Sequence, residues 1–156
     1  MLLVLWGYSQ DKRFTLSVGT ELADKNTHND KFDYGFNIAT QIEYQMTLLY
    51  FNAEVYWFPA LNDIDYLHFQ GTVLGFNYHT NMDRWRLHLG VLRPGFILRD
   101  GGPHALFGHD FGIENYIDEK WYYGAKIGVD YKADSKIWGE DTHTVWYLRL
   151  KFGIIL

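Results

Sequence analysis

The chain contains no cysteine, so a disulfide framework, a thiolate metal site and a thiol nucleophile are all closed to it. Proline is scarce, three in 156 residues, which argues against a disordered or Pro-rich extended chain. There is no run of Lys or Arg, and the formal net charge is −5, so nucleic acid is not an expected partner. No apolar stretch approaches the ~18–20 residues that a membrane-spanning helix needs. A mean hydropathy of −0.24 would ordinarily close the membrane question. It does not here, because a spanning β-strand needs only ~9–11 residues, and alternate ones face away from lipid. Aromatic rings are abundant: six Trp, twelve Tyr and eleven Phe. That excess, on a chain of single-domain length, calls for an explanation.

The first dozen residues, MLLVLWGYSQDK, differ from the rest. Their short apolar run followed by small and polar residues reads either as a signal-peptide remnant or as an apolar lead-in. From Arg13 to Leu156 the sequence reads as one domain with a dominant period of two. Phe14, Leu16, Val18 and Leu22 alternate with Thr15, Ser17, Gly19 and Glu21. Ile38, Ile42 and Tyr44 alternate with Asn37, Gln41 and Glu43, and Phe51, Val55 and Trp57 with Asn52, Glu54 and Tyr56. Trp85, Leu87 and Leu89 face Arg86, His88 and Gly90, and Phe107, Phe111 and Ile113 face Gly108, Asp110 and Glu114. The cleanest cases come last: Trp121, Tyr123, Ile127 and Tyr131 against Gly124, Lys126, Gly128 and Asp130, then Trp146, Leu148, Leu150 and Phe152 against Tyr147, Arg149, Lys151 and Gly153.

Two segments change phase. Val73 and Leu74 sit side by side within 66–78, as at a bulge. Arg93-Pro94-Gly95 is expected to break the fifth strand, since proline cannot donate to a ladder, and Phe96 and Leu98 resume beyond it in the opposite phase. The total is eight strands. Residues 23–31 and 133–142 form longer polar connections, whereas 45–47 and 117–119 are tight. Asp100-Gly101-Gly102-Pro103 is turn chemistry with no helix after it to cradle a phosphate.

Eight two-faced strands close most economically into a barrel, which leaves no unpaired edge. Period alone does not say which face is inside. An eight-stranded barrel is just wide enough for its own side chains. Trp57, Trp85, Trp121 and Trp146 turned inward would crowd that space, whereas the other face mixes glycines with charges of both signs. Glu21, Glu43, Glu54, Asp110, Glu114 and Asp130 can pair with Arg86, Lys126, Arg149 and Lys151 as a lumen ion-pair network; single buried charges would be prohibitive. Lys126, Asp130, Arg149 and Lys151 are expected to pair with one another and join the last two strands. Tyr44, Trp57, Trp85, Trp121, Tyr131 and Trp146 fall near strand ends on the apolar face, where rings settle at bilayer interfaces. Ten tilted residues rise roughly 25 Å, the height of an outer-membrane apolar band. The expected fold is all-β, an eight-stranded antiparallel up-and-down transmembrane β-barrel. The alternative is a soluble lipocalin-like barrel that binds an apolar small molecule.

On strand number, dyad pattern and a last strand shaped for closure (145–156), the chain resembles the small eight-stranded outer-membrane barrels of Gram-negative bacteria, of the OmpA/OmpX type. That family's closing strand typically ends on an aromatic residue, whereas this one ends on Leu156 with Phe152 further in. The resemblance implies a bacterial outer-membrane location and a surrounding partner of membrane lipid. It implies a monomer with a structural or surface-interaction role, contacting a partner through 23–31 and 133–142.

Catalytic candidates are weak. His109, Asp110 and Glu114 would not converge if the two carboxylates face inward, because His109 then points to lipid. His143, near Glu140 and Asp141, reads as part of a solvated loop. A lipid A-modifying enzyme is the remaining alternative, but lipid A deacylase barrels carry a His-x-Ser-Asn motif, and here Thr80 follows His79 directly. His68 and His88 lack metal-ligand spacing, so neither a metal nor a cofactor is expected.

Overall fold

The computed structural model describes residues 12–24, 34–58, 66–80, 84–99, 102–132 and 144–156. They form eight antiparallel strands: β1 (Arg13–Asp24), β2 (Tyr34–Gln45), β3 (Leu49–Phe58), β4 (Tyr66–His79), β5 (Trp85–Arg99), β6 (Gly102–Tyr116), β7 (Trp121–Lys132) and β8 (Thr144–Ile155). Each strand pairs with its sequence neighbours, and β1 pairs with β8 from Thr15↔Ile155 to Ala23↔Tyr147, closing the barrel. Closure matters in hydrocarbon, where an unpaired backbone N–H or C=O finds no water.

The alternation of the sequence becomes an inside and an outside. On β8, exposed and buried residues strictly alternate from Thr144 to Gly153. Leu150 is 55% exposed and Ile127 51%, whereas Arg149 and Lys126 are 1% and 2% exposed. The interior therefore holds the charges and the exterior the aliphatic and aromatic groups. An apolar-lined ligand cavity of the lipocalin kind has no place in such a lumen.

Three boundaries differ from the sequence reading. β1 runs on through Asp24, so the connection expected at 23–31 starts two positions later. β6 begins at Gly102, so the turn expected at 100–103 gives up its last two positions to the strand. Arg93-Pro94-Gly95 does not break the fifth strand, since β5 is continuous from Trp85 to Arg99. The phase change occurs just before the proline, as a register shift between Gly90 and Arg93. Pro94 then sits opposite Phe107 on the outward face, where its ring meets no lumen side chain. Beyond that shift the even positions point outward, which turns Arg93 fully inward. A matching irregularity in β4 leaves Val73 and Leu74 both exposed.

The aromatic residues form two girdles. Tyr44, Trp85 and Trp121 lie at the end that carries the 46–48 and 117–120 turns, and Trp57, Tyr131 and Trp146 lie at the opposite end. All are exposed except Tyr44, which is half-buried against Phe14 with ring centroids 4.7 Å apart.

Candidate functional site

The lumen is the most organised feature of the molecule. Luminal glycines make room for large side chains on the neighbouring strand. Gly75 lies opposite Tyr50, Gly128 opposite Tyr147 and Gly153 opposite Tyr122. In each pair the tyrosine ring lies where a Cβ on the glycine would stand. Small and large thus alternate across strands, as filling a narrow barrel requires.

Among the described residues five buried cations (Arg86, Arg93, Lys126, Arg149, Lys151) face six buried carboxylates (Glu21, Glu43, Glu54, Asp110, Glu114, Asp130). They fall into two groups. Towards the tight-turn end, Arg86 bridges Glu43 at 2.6 Å and Glu114 at 2.7 Å, and its Nε donates to Asn77 Oδ1 at 2.8 Å. Lys151 also pairs with Glu114. Gln41 and Gln45 donate to Glu43 at 2.9 and 2.7 Å, and the Tyr116 hydroxyl donates to Glu114 at 3.2 Å.

In the second group Glu54 is the hub. It accepts from Arg93 at 2.8 Å, Lys126 at 2.6 Å and Arg149 at 3.0 Å, and from the Tyr56 hydroxyl. Asp110 bridges Lys126 at 3.0 Å and Arg93 at 3.2 Å. Arg149 reaches Glu21 at 2.6 Å, and Asn37 donates to the other oxygen of Glu21 at 3.0 Å. Gln70 donates to Asp130 at 2.8 Å and accepts from Arg93 at 2.9 Å. Tyrosine rings face the guanidinium groups: Arg149 lies 4.2 Å from the Tyr56 centroid and Arg86 lies 4.8 Å from that of Tyr50. Multiple partners per charge are what a buried ion needs to offset its lost hydration.

The ten network residues named from sequence all face the lumen, yet the pairing differs from the expectation for the last two strands. Lys126, Arg149 and Lys151 do not tie β7 to β8. Lys126 meets carboxylates on β3 and β6, Arg149 on β1 and β3, and Lys151 on β6, because across the β7–β8 ladder Lys126 stands opposite Arg149 and Lys151 opposite Gly124, so neither strand offers the other's cations a carboxylate. Arg93 was hidden from the sequence reading. Its signal was the opposite phase of Phe96 and Leu98, which, carried back to position 93, turns the arginine inward. The luminal Tyr50, Tyr56, Tyr122 and Tyr147 were likewise obscured, since tyrosine fits either face.

His109 does not join Asp110 and Glu114. It lies in the wall with Nδ1–H donating to the Val91 carbonyl at 2.6 Å, its ring edge-on to Phe107 and Tyr131. His143, Glu140 and Asp141 lie outside the described residues, as do 25–31 and 133–142. His79 stacks near Tyr116 with centroids 6.4 Å apart, and Asn81 lies outside the described residues. His68 stacks on Tyr56 and pairs across from Ile97, whereas His88 pairs across from Asn77, so the two histidines stand at different heights. Among the described residues no three His, Asp or Glu side chains form a metal cluster.

No family model and no curated protein matches the sequence. Solved structures do. Neisserial surface protein A superposes with a TM-score of 0.58 at 14% identity, over 93% of this chain and 96% of that one. The chain has the fold of the small eight-stranded outer-membrane barrels. The N-terminal β-barrel domain of Pseudomonas aeruginosa OprF gives 0.58 at 9% identity, over 94% and 100%. Ail, the attachment invasion locus protein of Yersinia pestis, gives 0.54 at 12% identity, over 93% and 97%. At such identities the likeness is one of architecture. What this small barrel does must be read from its own residues.

Proposed function

We propose that the chain is a non-conducting barrel of the bacterial outer membrane, a monomeric anchor that presents its longer connections (expected at 23–31, of which 23–24 belong to β1, and at 133–142) to a partner outside the cell. One observation carries the reading. The lumen is filled wall to wall by paired charges and tyrosines, while the exterior between the aromatic girdles is apolar. A solute path would require opening many charge-assisted bonds at once, so transport is disfavoured. Catalysis by the His109 candidate would need its imidazole within reach of Asp110 and Glu114 as acid or base partners. The weak candidate His109 is instead engaged with the barrel wall. What remains for such a molecule is to hold its connections at the membrane surface.

Two measurements test this. Proteoliposomes containing the protein are expected to show no swelling in an isotonic sugar, and swelling at a porin's rate would refute the filled-lumen reading. Trypsin added to intact cells is expected to cut at Lys25, Lys31 or Lys136 and leave the strands protected. Cleavage confined to the 117–120 turn would invert the orientation.

A further inference from the structure

At the tight-turn end the lumen is crossed by one side chain. Tyr116 enters from β6, and its hydroxyl lies 3.1 Å from Gln45 Oε1 on β2, four places away in the ring of eight. The ring therefore bars the mouth from wall to wall. It is buried, with Tyr122 tilted against it at 5.7 Å and His79 stacked beside it. On the lumen side of this bar the carboxylates Glu43 and Glu114 are held by Arg86, Lys151 and Gln45.

On the solvent side the balance reverses. The Arg13 guanidinium lies 5.6 Å from the Tyr116 ring centroid, half-buried on the inward parity of β1 with Thr15 and Ser17. The Arg84 carbonyl accepts the Tyr116 N–H at 2.8 Å, and Arg84 itself is exposed just before β5. Lys12 and Lys120 are exposed at the same end. The carboxylates described there are Asp118 and Glu119, and Asp118 Oδ1 is taken up by the Lys120 and Trp121 N–H groups, each at 2.7 Å. Among the described residues no carboxylate pairs with Arg13 or Arg84, whereas each luminal arginine has at least two.

We propose that this mouth docks an acidic peptide segment of a periplasmic protein, with carboxylates on Arg13 and Arg84 and the chain lying across Tyr116. The proposal rests on the outer-membrane reading above, in which the short turns face the periplasm. A guanidinium offers a carboxylate two parallel N–H donors, and here the forks are not already taken. Arg13 stands on the inward parity of its strand, away from the membrane-facing Trp85 and Trp121, so a lipid headgroup is not its counter-charge. β1 and β5 are four places apart in the ring, a spacing that suits successive carboxylates on one chain better than a single small anion. The chain as a whole carries −5, so a polyanion held here is held by the local patch against the net charge of the molecule.

The test uses the full chain in nanodiscs of phosphatidylcholine, where both ends of the barrel are accessible and no anionic lipid competes. Heat-modifiable migration checks the barrel in each sample. The probe is a fluorescent hexaglutamate peptide followed by anisotropy. The wild type is expected to bind it, more weakly as added salt screens the charges. The double variant Arg13→Gln/Arg84→Gln is expected to bind several-fold more weakly, and Lys136→Gln, far along the chain in a long connection, to match the wild type. If the double variant does not fold, Arg84→Gln alone carries the comparison at an exposed position. No binding by the wild type, equal binding by the mouth variant, displacement of the peptide by an equal concentration of inorganic phosphate, or loss of binding when phosphatidylglycerol enters the disc would each overturn the site. Trypsin cleavage of intact cells at the 117–120 turn would instead overturn the periplasmic partner, whatever the peptide does in discs.

Discussion

Lys126 Nζ lies 2.6 Å from Glu54 Oε1, a contact that joins β7 to β3. Those strands stand four places apart in a ring of eight, so the bond spans the full width of the lumen. Arg93 and Arg149 meet the same carboxylate from two other strands.

Glu54→Gln should therefore leave three cations short of their shared counter-charge. Removing one member of a buried ion cluster typically costs about 3–5 kcal/mol. Guanidinium unfolding of the barrel in lipid vesicles should show a midpoint lowered accordingly. An unchanged midpoint would mean that the remaining carboxylates re-pair without penalty.

The outer face makes the opposite demand. Ile127→Arg or Leu150→Arg should destabilise the barrel by ~2–4 kcal/mol near the bilayer midplane, because the guanidinium is held in hydrocarbon. Either variant folding in lipid with wild-type stability would contradict the outward assignment of this face.

Gly128 and Tyr147 form a cross-strand pair in which the ring fills the space above the glycine. Gly128→Ala should displace the ring and strain the Arg93–Tyr147 hydrogen bond, at about 1–3 kcal/mol, as overpacking does. Adding Tyr147→Ala to the same chain should make the glycine substitution nearly neutral. A double-mutant cycle with no coupling would show that the two residues do not share the space.

At the β5 bulge, His109→Phe should leave the Val91 carbonyl without its donor inside the wall. An unsatisfied buried polar group costs ~1–3 kcal/mol. Amide exchange should accelerate at the residues flanking the register shift before it does elsewhere in β5 and β6. Uniform exchange would mean that the bulge is held by other contacts.

Much of this molecule was readable before any fold was known. The dyad alternation of residues 121–131 and 144–153 places Ile127 and Leu150 on one side and Lys126 and Arg149 on the other, whatever the partner strands. The side-by-side Val73 and Leu74 announced a bulge. Proline misled, because Pro94 looks like a strand break. It is tolerated because a bulge just before it moves it to the outward face of the gap in the β4–β5 ladder, where its missing N–H leaves no ladder bond broken.

Alternation is a property of each strand alone, so the chain's linear order sufficed to sort residues into a charged and an apolar face, and the width of eight strands then sent the charges inward. Which cation meets which carboxylate is a property of the ring. Glu54, Lys126, Arg93 and Arg149 come from four strands, and they converge only because closure brings opposite walls within a side chain's reach. The irregularities of β4 and β5 likewise meet only because the two strands pair, and no single strand records the height of another.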